Sequence, residues 1–73
     1  MVYDYSKLNG RIVEKCGTRS KFASRIGLSE RSLSLKLNNK VAFKQYEIQK
    51  ALSVLEIENK ELPEYFFCPL SSK

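Results

Sequence analysis

The stretch Thr18–Lys40, TRSKFASRIGLSERSLSLKLNNK, decides the fold of this chain. Two short amphipathic segments meet there across three residues, Gly27, Leu28 and Ser29. The first runs from about Arg19 to Ile26, takes Thr18 as its N-cap and turns Phe22, Ala23 and Ile26 to one face. Gly27 ends it, because glycine reaches the left-handed backbone of a tight helix stop without steric penalty. Leu28 plugs the angle. Ser29 then caps a second segment that runs to about Asn38, with Leu33 and Leu37 one turn apart on its inner side. A short glycine-containing turn between two helices of about eight to ten residues is the pattern of a helix-turn-helix.

Helical periodicity continues on both sides. Upstream, Tyr5, Leu8, Ile12 and Cys16 make one apolar stripe over about residues 5–16, with Asp4 or Ser6 as cap and Gly17 as stop. Downstream, Asn39–Lys44 reads as a loop pinned by Val41 and Phe43. A further helix over about 45–55 then buries Ile48, Ala51, Leu52 and Leu55. Asn59 is the cap candidate of a last short helix bent near Pro63. No period-2 alternation is long enough for a strand. The expected architecture is all-α, five short helices in a single domain over 1–73, with the helix-turn-helix at about 19–38 and residues 68–73 a disordered tail. The cluster Leu62, Tyr65, Phe66 and Phe67 either closes the bottom of a small core or forms part of a two-fold interface.

Composition narrows the function. The chain has 73 residues, is 42% hydrophobic and 29% charged, and contains no histidine. The commonest general base and metal ligand is therefore missing, and no acid–base pair is apparent, which argues against an enzyme. Cys16 and Cys68 form no CxxC pair, so neither a metal site nor a cofactor is expected. MVYDYSKLNG has no secretory pattern and no apolar run approaches a membrane span, so the expected compartment is a reducing cytoplasm with both thiols free.

The net charge of +5 is unevenly placed. Residues 7–44 hold ten basic side chains against Glu14 and Glu30, a net +8, whereas residues 45–73 hold three lysines against five glutamates, a net −2. Such a basic body suits a polyanion-binding surface; the alternative is a uniformly solvated basic exterior.

Thr18–Lys40 resembles the helix-turn-helix of lambda-repressor-like regulators of the Cro and C1 type. Ala23 stands at the helix crossing, Gly27 at the turn, Leu33 at the apolar position of the second helix and Asn38-Asn39 at the polar pair that follows. The flanks YDYSKLNGRIVEKCGT and ALSVLEI with LPEYFF look like small regulators of temperate phages or prophages of Gram-positive bacteria, so the resemblance spans about residues 3–67. Lys36 departs from it, standing where the family carries an apolar residue. Its stem is expected to snorkel along the core with the ammonium in solvent, Leu37 supplying the apolar contact.

At about 100° per residue, Arg31, Ser34, Leu35 and Asn38 lie opposite Leu33 and Leu37, with Glu30 and Ser32 at the N-terminal edge. The resemblance implies that this face enters the major groove of operator DNA. Arg31 suits guanine, Leu35 a thymine methyl, Ser32 and Ser34 either base or phosphate, and Glu30 a cytosine amino group or the orientation of Arg31. The serines and Glu30 also fit plain helix-end capping, as does Ser29. Arg19, Ser20 and Lys21 open the first helix of the motif, where cations sit unfavourably unless a phosphate joins them. Asn39, Lys40 and Lys44 bracket the duplex from the other side. The implied function is a transcriptional regulator of a phage or prophage, acting in the bacterial host as a homodimer on double-stranded operator DNA. The competing reading is an anti-repressor that binds another phage repressor through the same face, for which Leu35 and the outward Tyr46 are suited.

Overall fold

A computed structural model describes residues 2–69. Its elements are α1 (Ser6–Cys16), α2 (Arg19–Ile26), α3 (Glu30–Leu37), α4 (Gln45–Leu55), a 3₁₀ turn (Asn59–Glu61) and α5 (Leu62–Phe66). The described residues thus form five α-helices, with only an isolated antiparallel bridge between Tyr3 and Pro69.

The helix ends follow the local chemistry of the sequence. Thr18 accepts from the Lys21 N–H, and Ser29 accepts from the Ser32 N–H at 3.1 Å, each tying down one otherwise unpaired first-turn donor. Gly27 closes α2 at φ 80°, in the left-handed region that glycine enters freely, and lets the Leu28 N–H reach Ala23 O at 2.8 Å. α1 begins at Ser6 with no side-chain cap from Tyr5; the Asp4 carboxylate accepts from the Ser6 N–H at 2.9 Å instead.

α2 is the central helix and packs against α1, α3 and α4, while α1 also packs on α4 and α5. Ala23, 1% exposed, allows the close approach, and Phe22 and Ile26 fill the space beside it. Tyr5, Leu8, Ile12 and Cys16 are all buried, as their spacing predicts. Tyr65 and Phe66 join the same core, whereas Phe67 remains 45% exposed. A run of aromatic contacts closes this end: Phe66 on Phe43 at 5.3 Å, Phe43 on Tyr5 at 5.6 Å and Tyr3 on Phe67 at 5.6 Å between ring centroids.

Four sequence expectations need correction. Lys36 does not snorkel: it is 4% exposed, and its ammonium lies 3.0 Å from a carboxylate oxygen of Glu47, itself 2% exposed. A buried ammonium needs a counter-charge, and α4 delivers one. Val41 does not pin its loop, since it is 46% exposed; Phe43 alone packs inward. Asn59 is not a cap but the first residue of the 3₁₀ turn, whose N-cap is Glu58. Pro63 sits in the first turn of α5, where its missing N–H is harmless. Of the tail, Cys68 accepts from the Asp4 N–H at 2.7 Å and Pro69 bridges to Tyr3, so these two are tied to the N-terminal segment. Residues 70–73 lie outside the described residues. Both cysteines are free, Cys16 in the core and Cys68 half-buried.

Candidate functional site

The outward side of α3 continues into the loop after it. Along α3, Glu30, Arg31, Leu35 and Asn38 are exposed, while Ser32 and Ser34 are half-buried beside them. The Asn38 N–H bonds to Ser34 O, and the Lys40 N–H reaches back to Leu35 O at 2.8 Å, so the chain folds over the end of the helix. Asn39 makes this turn at φ 63°, a left-handed position that asparagine tolerates better than most residues. Leu35 on α3 is 38% exposed, and Val41 in the loop after it is 46% exposed.

Several of the expected site residues carry structural duties. Ser29 caps α3 and also meets the Ser32 hydroxyl at 3.0 Å. Ser34 accepts from the Asn38 side-chain amide at 3.4 Å. Asn39 is committed: its amide oxygen accepts from the Tyr3 N–H at 2.9 Å and its amide nitrogen donates to Tyr3 O at 3.0 Å. It anchors the N-terminal segment with one acceptor and one donor, a structural duty in addition to its expected bracketing role. Arg19, Ser20, Lys21, Arg31, Lys40 and Lys44 are exposed.

The ion pairs divide the basic residues into two groups. Lys7, Arg11, Lys15 and Lys60 each pair with a glutamate: Glu64, Glu14, Glu56 and Glu58. Arg11 also donates to the carbonyls of Leu55 and Glu56, at 2.9 and 3.0 Å, and so closes the C-terminal end of α4. Beside Glu64, the Lys7 ammonium is held above its ordinary pKa by the hydrogen bond. By contrast, Arg19, Lys21, Arg25, Arg31, Lys40 and Lys44, and Lys50 on α4, form no ion pair among the described residues. The stretch from α2 to the start of α4 therefore exposes cations without acidic partners, and with them Leu35 and Val41.

A second feature is a shallow cavity of about 380 Å³ lined by Phe43, Gln45, Ile48, Gln49, Leu62 and Phe67. Its lining is apolar except for two glutamines. Tyr46, 57% exposed, stands next to it in sequence. No group of three or more metal-ligating side chains occurs among the described residues, and none of the described helices is long and apolar enough to cross a membrane.

Sequence reasoning missed two residues here, Val41 and Glu47. A loop residue's exposure depends on the path of the loop and leaves no periodic signal. Glu47 carried a weak signal as an acid three residues into α4, where it accepts from the Lys44 N–H at 2.9 Å; its burial against Lys36 was invisible.

Residues 1–68 match the DUF739 family, described as proteins of unknown function, and the chain belongs to that family. No curated protein matches it. Among solved structures, the chain is similar to the solution structure of the modulator of repression (MOR) of the temperate bacteriophage TP901-1 from Lactococcus lactis. The two share 58% sequence identity, with a TM-score of 0.79, over 92% of this chain and 90% of that one.

Proposed function

We propose that this DUF739 member modulates repression in a phage or prophage by binding the phage repressor, as a protein-docking module without enzymatic activity that works in the cytoplasm of the bacterial host. The observation that carries this reading is the 58% identity to a phage modulator of repression over 92% of the chain. Of the two roles open to a helix-turn-helix face, the similarity favours contact with a regulator over autonomous operator binding. The surface supports the same choice. α3 and the loop after it expose two large apolar side chains, Leu35 and Val41, together with Arg31, Lys40 and Lys44, the mix of apolar and cationic groups that a protein interface uses. A matching repressor surface offers an apolar socket edged with carboxylates.

The test is titration of the purified chain against the repressor of the phage that encodes it, by calorimetry and size-exclusion chromatography. A defined complex that Leu35→Asp abolishes, with helical content unchanged, is the expected result. No complex at tens of micromolar would remove the reading.

The unpaired state of Arg19, Lys21, Arg31, Lys40 and Lys44 favours a second reading, in which a homodimer binds operator DNA directly. The uncharged cavity between α4 and α5 is the natural seat for its two-fold contact. This reading expects the chain alone to shift operator DNA, with a slope of log K against log salt of about −0.9 per phosphate neutralised.

A further inference from the structure

We propose that Lys36 and Glu47 are a positioning pair: they fix the path of the loop between α3 and α4, and with it the outward setting of Val41, 46% exposed. The Lys36 ammonium has two oxygen partners, Glu47 Oε1 at 3.0 Å and the carbonyl of Ala42 at 3.0 Å. Glu47 Oε1 in turn accepts from the Lys44 N–H at 2.9 Å. One buried charge pair therefore joins α3, two points of the loop and α4.

The loop has little else to hold its middle. Its α3 end is fastened by the Lys40 N–H on Leu35 O and by the Asn39 clamp on Tyr3, and Phe43 is packed on Tyr5 and Phe66. Between these anchors, the contact of Ala42 O with Lys36 is the polar tether found among the described residues. α3 and α4 both pack on α2, so the loop spans helices with little direct packing of their own.

Stability is a poor reason for such a pair. Two charges taken out of water recover little more than their desolvation penalty, and an apolar pair of similar volume is often as stable or more so. An apolar pair would also suit the interior of a 73-residue domain, which has little core to spare. It would not offer a donor aimed at Ala42 O or an acceptor for Lys44. Directed bonds give the loop one path, and that path places Val41.

The binding consequence rests on the repressor-docking reading; the loop geometry does not. The test uses the full chain with Lys36→Met and Glu47→Leu together. Its helices should melt no earlier than those of the parent. Backbone ¹⁵N order parameters of Val41 and Ala42 should fall from about 0.85 to below about 0.6, while those of α1, α2 and the separately anchored Lys40 stay rigid. Binding to the purified phage repressor should weaken about tenfold or more, the scale of losing one well-placed interface contact. A loop as rigid as the parent's would overturn the proposal, as would undiminished repressor binding by a folded double variant. If the parent fails to bind the repressor, the functional reading falls and the order parameters still decide the role of the pair. Should the double variant not fold, the parent decides: order parameters of Val41 and Ala42 as high as those of α1 and α2 support the pair, and values below about 0.6 refute it.

Discussion

The two sides of this small domain treat the same kind of side chain in opposite ways. On the side built from α1, the end of α4 and α5, Lys7, Lys15 and Lys60 each meet a glutamate, and Arg11 closes α4. Along α2, α3 and the loop to α4, Arg19, Lys21, Arg25, Arg31, Lys40 and Lys44 stand without acidic partners among the described residues. The difference is informative because exposed ion pairs contribute little stability, about 0–1 kcal/mol, so folding alone demands neither arrangement. The paired side is finished within the chain. The unpaired side leaves its cationic charge uncompensated within the described residues.

Lys36 is the cation that breaks this division, and its removal gives the largest expected effect. Lys36→Met alone leaves the Glu47 carboxylate buried and unpaired, at a cost of about 3–5 kcal/mol. That approaches the whole stability of a small domain, about 5 kcal/mol at the low end. Circular dichroism should show a variant largely unfolded or melting far below the parent; an unchanged melting curve would mean that Glu47 finds another partner or solvent. Next comes Arg31→Ala with Lys40→Ala on the open side. Each should alter stability by less than about 0.5 kcal/mol in urea titrations, since neither is buried or paired. Association with the acidic partner should slow severalfold and lose much of its salt dependence. A stability loss without a binding change would invert the comparison.

The paired side should respond in the reverse manner. Lys15→Met, which removes the 3.4 Å contact to Glu56, should lower stability by about 0.2–1 kcal/mol and leave partner binding untouched. The smallest effect concerns Asp4, whose carboxyl is held below its ordinary pKa by hydrogen bonds from Ser6. A lowered folded-state pKa means stability that is present above the unfolded value, about 3.9, and lost as pH falls through the folded one. Asp4→Asn should therefore flatten the acid limb of the urea midpoint against pH, by lowering the midpoint slightly at neutrality while the two curves converge in acid. A parallel acid limb in the variant would place that dependence elsewhere.

How much of this could be read beforehand divides along physical lines. Thr18, Gly27 and Ser29 act on backbone groups a few residues away, so the bounds of α2 and α3 were legible from sequence. So was the burial of Leu8, Ile12, Leu33 and Leu55, because an apolar stripe at helical period has one way to face a core. Arg31 and Leu35 were placed outward by the same angular reasoning, and both are exposed. The left-handed Glu56 gave no such signal. It is neither Gly nor Asn, and Arg11, 45 residues away, supplies the compensating bonds to the α4 carbonyls.

By itself, then, the sequence determined the all-helical class, the tight glycine turn between α2 and α3 and the segregation of charge, all of which depend on period, local capping and residue count. Tertiary structure alone decided which cations are neutralised, that Asn39 holds Tyr3, and that Lys36 lies buried against Glu47 with Val41 turned outward. Each of these is settled by two groups far apart or on different elements meeting in space. Such meetings depend on how helices pack and where a loop runs, and no periodicity in a single chain records them.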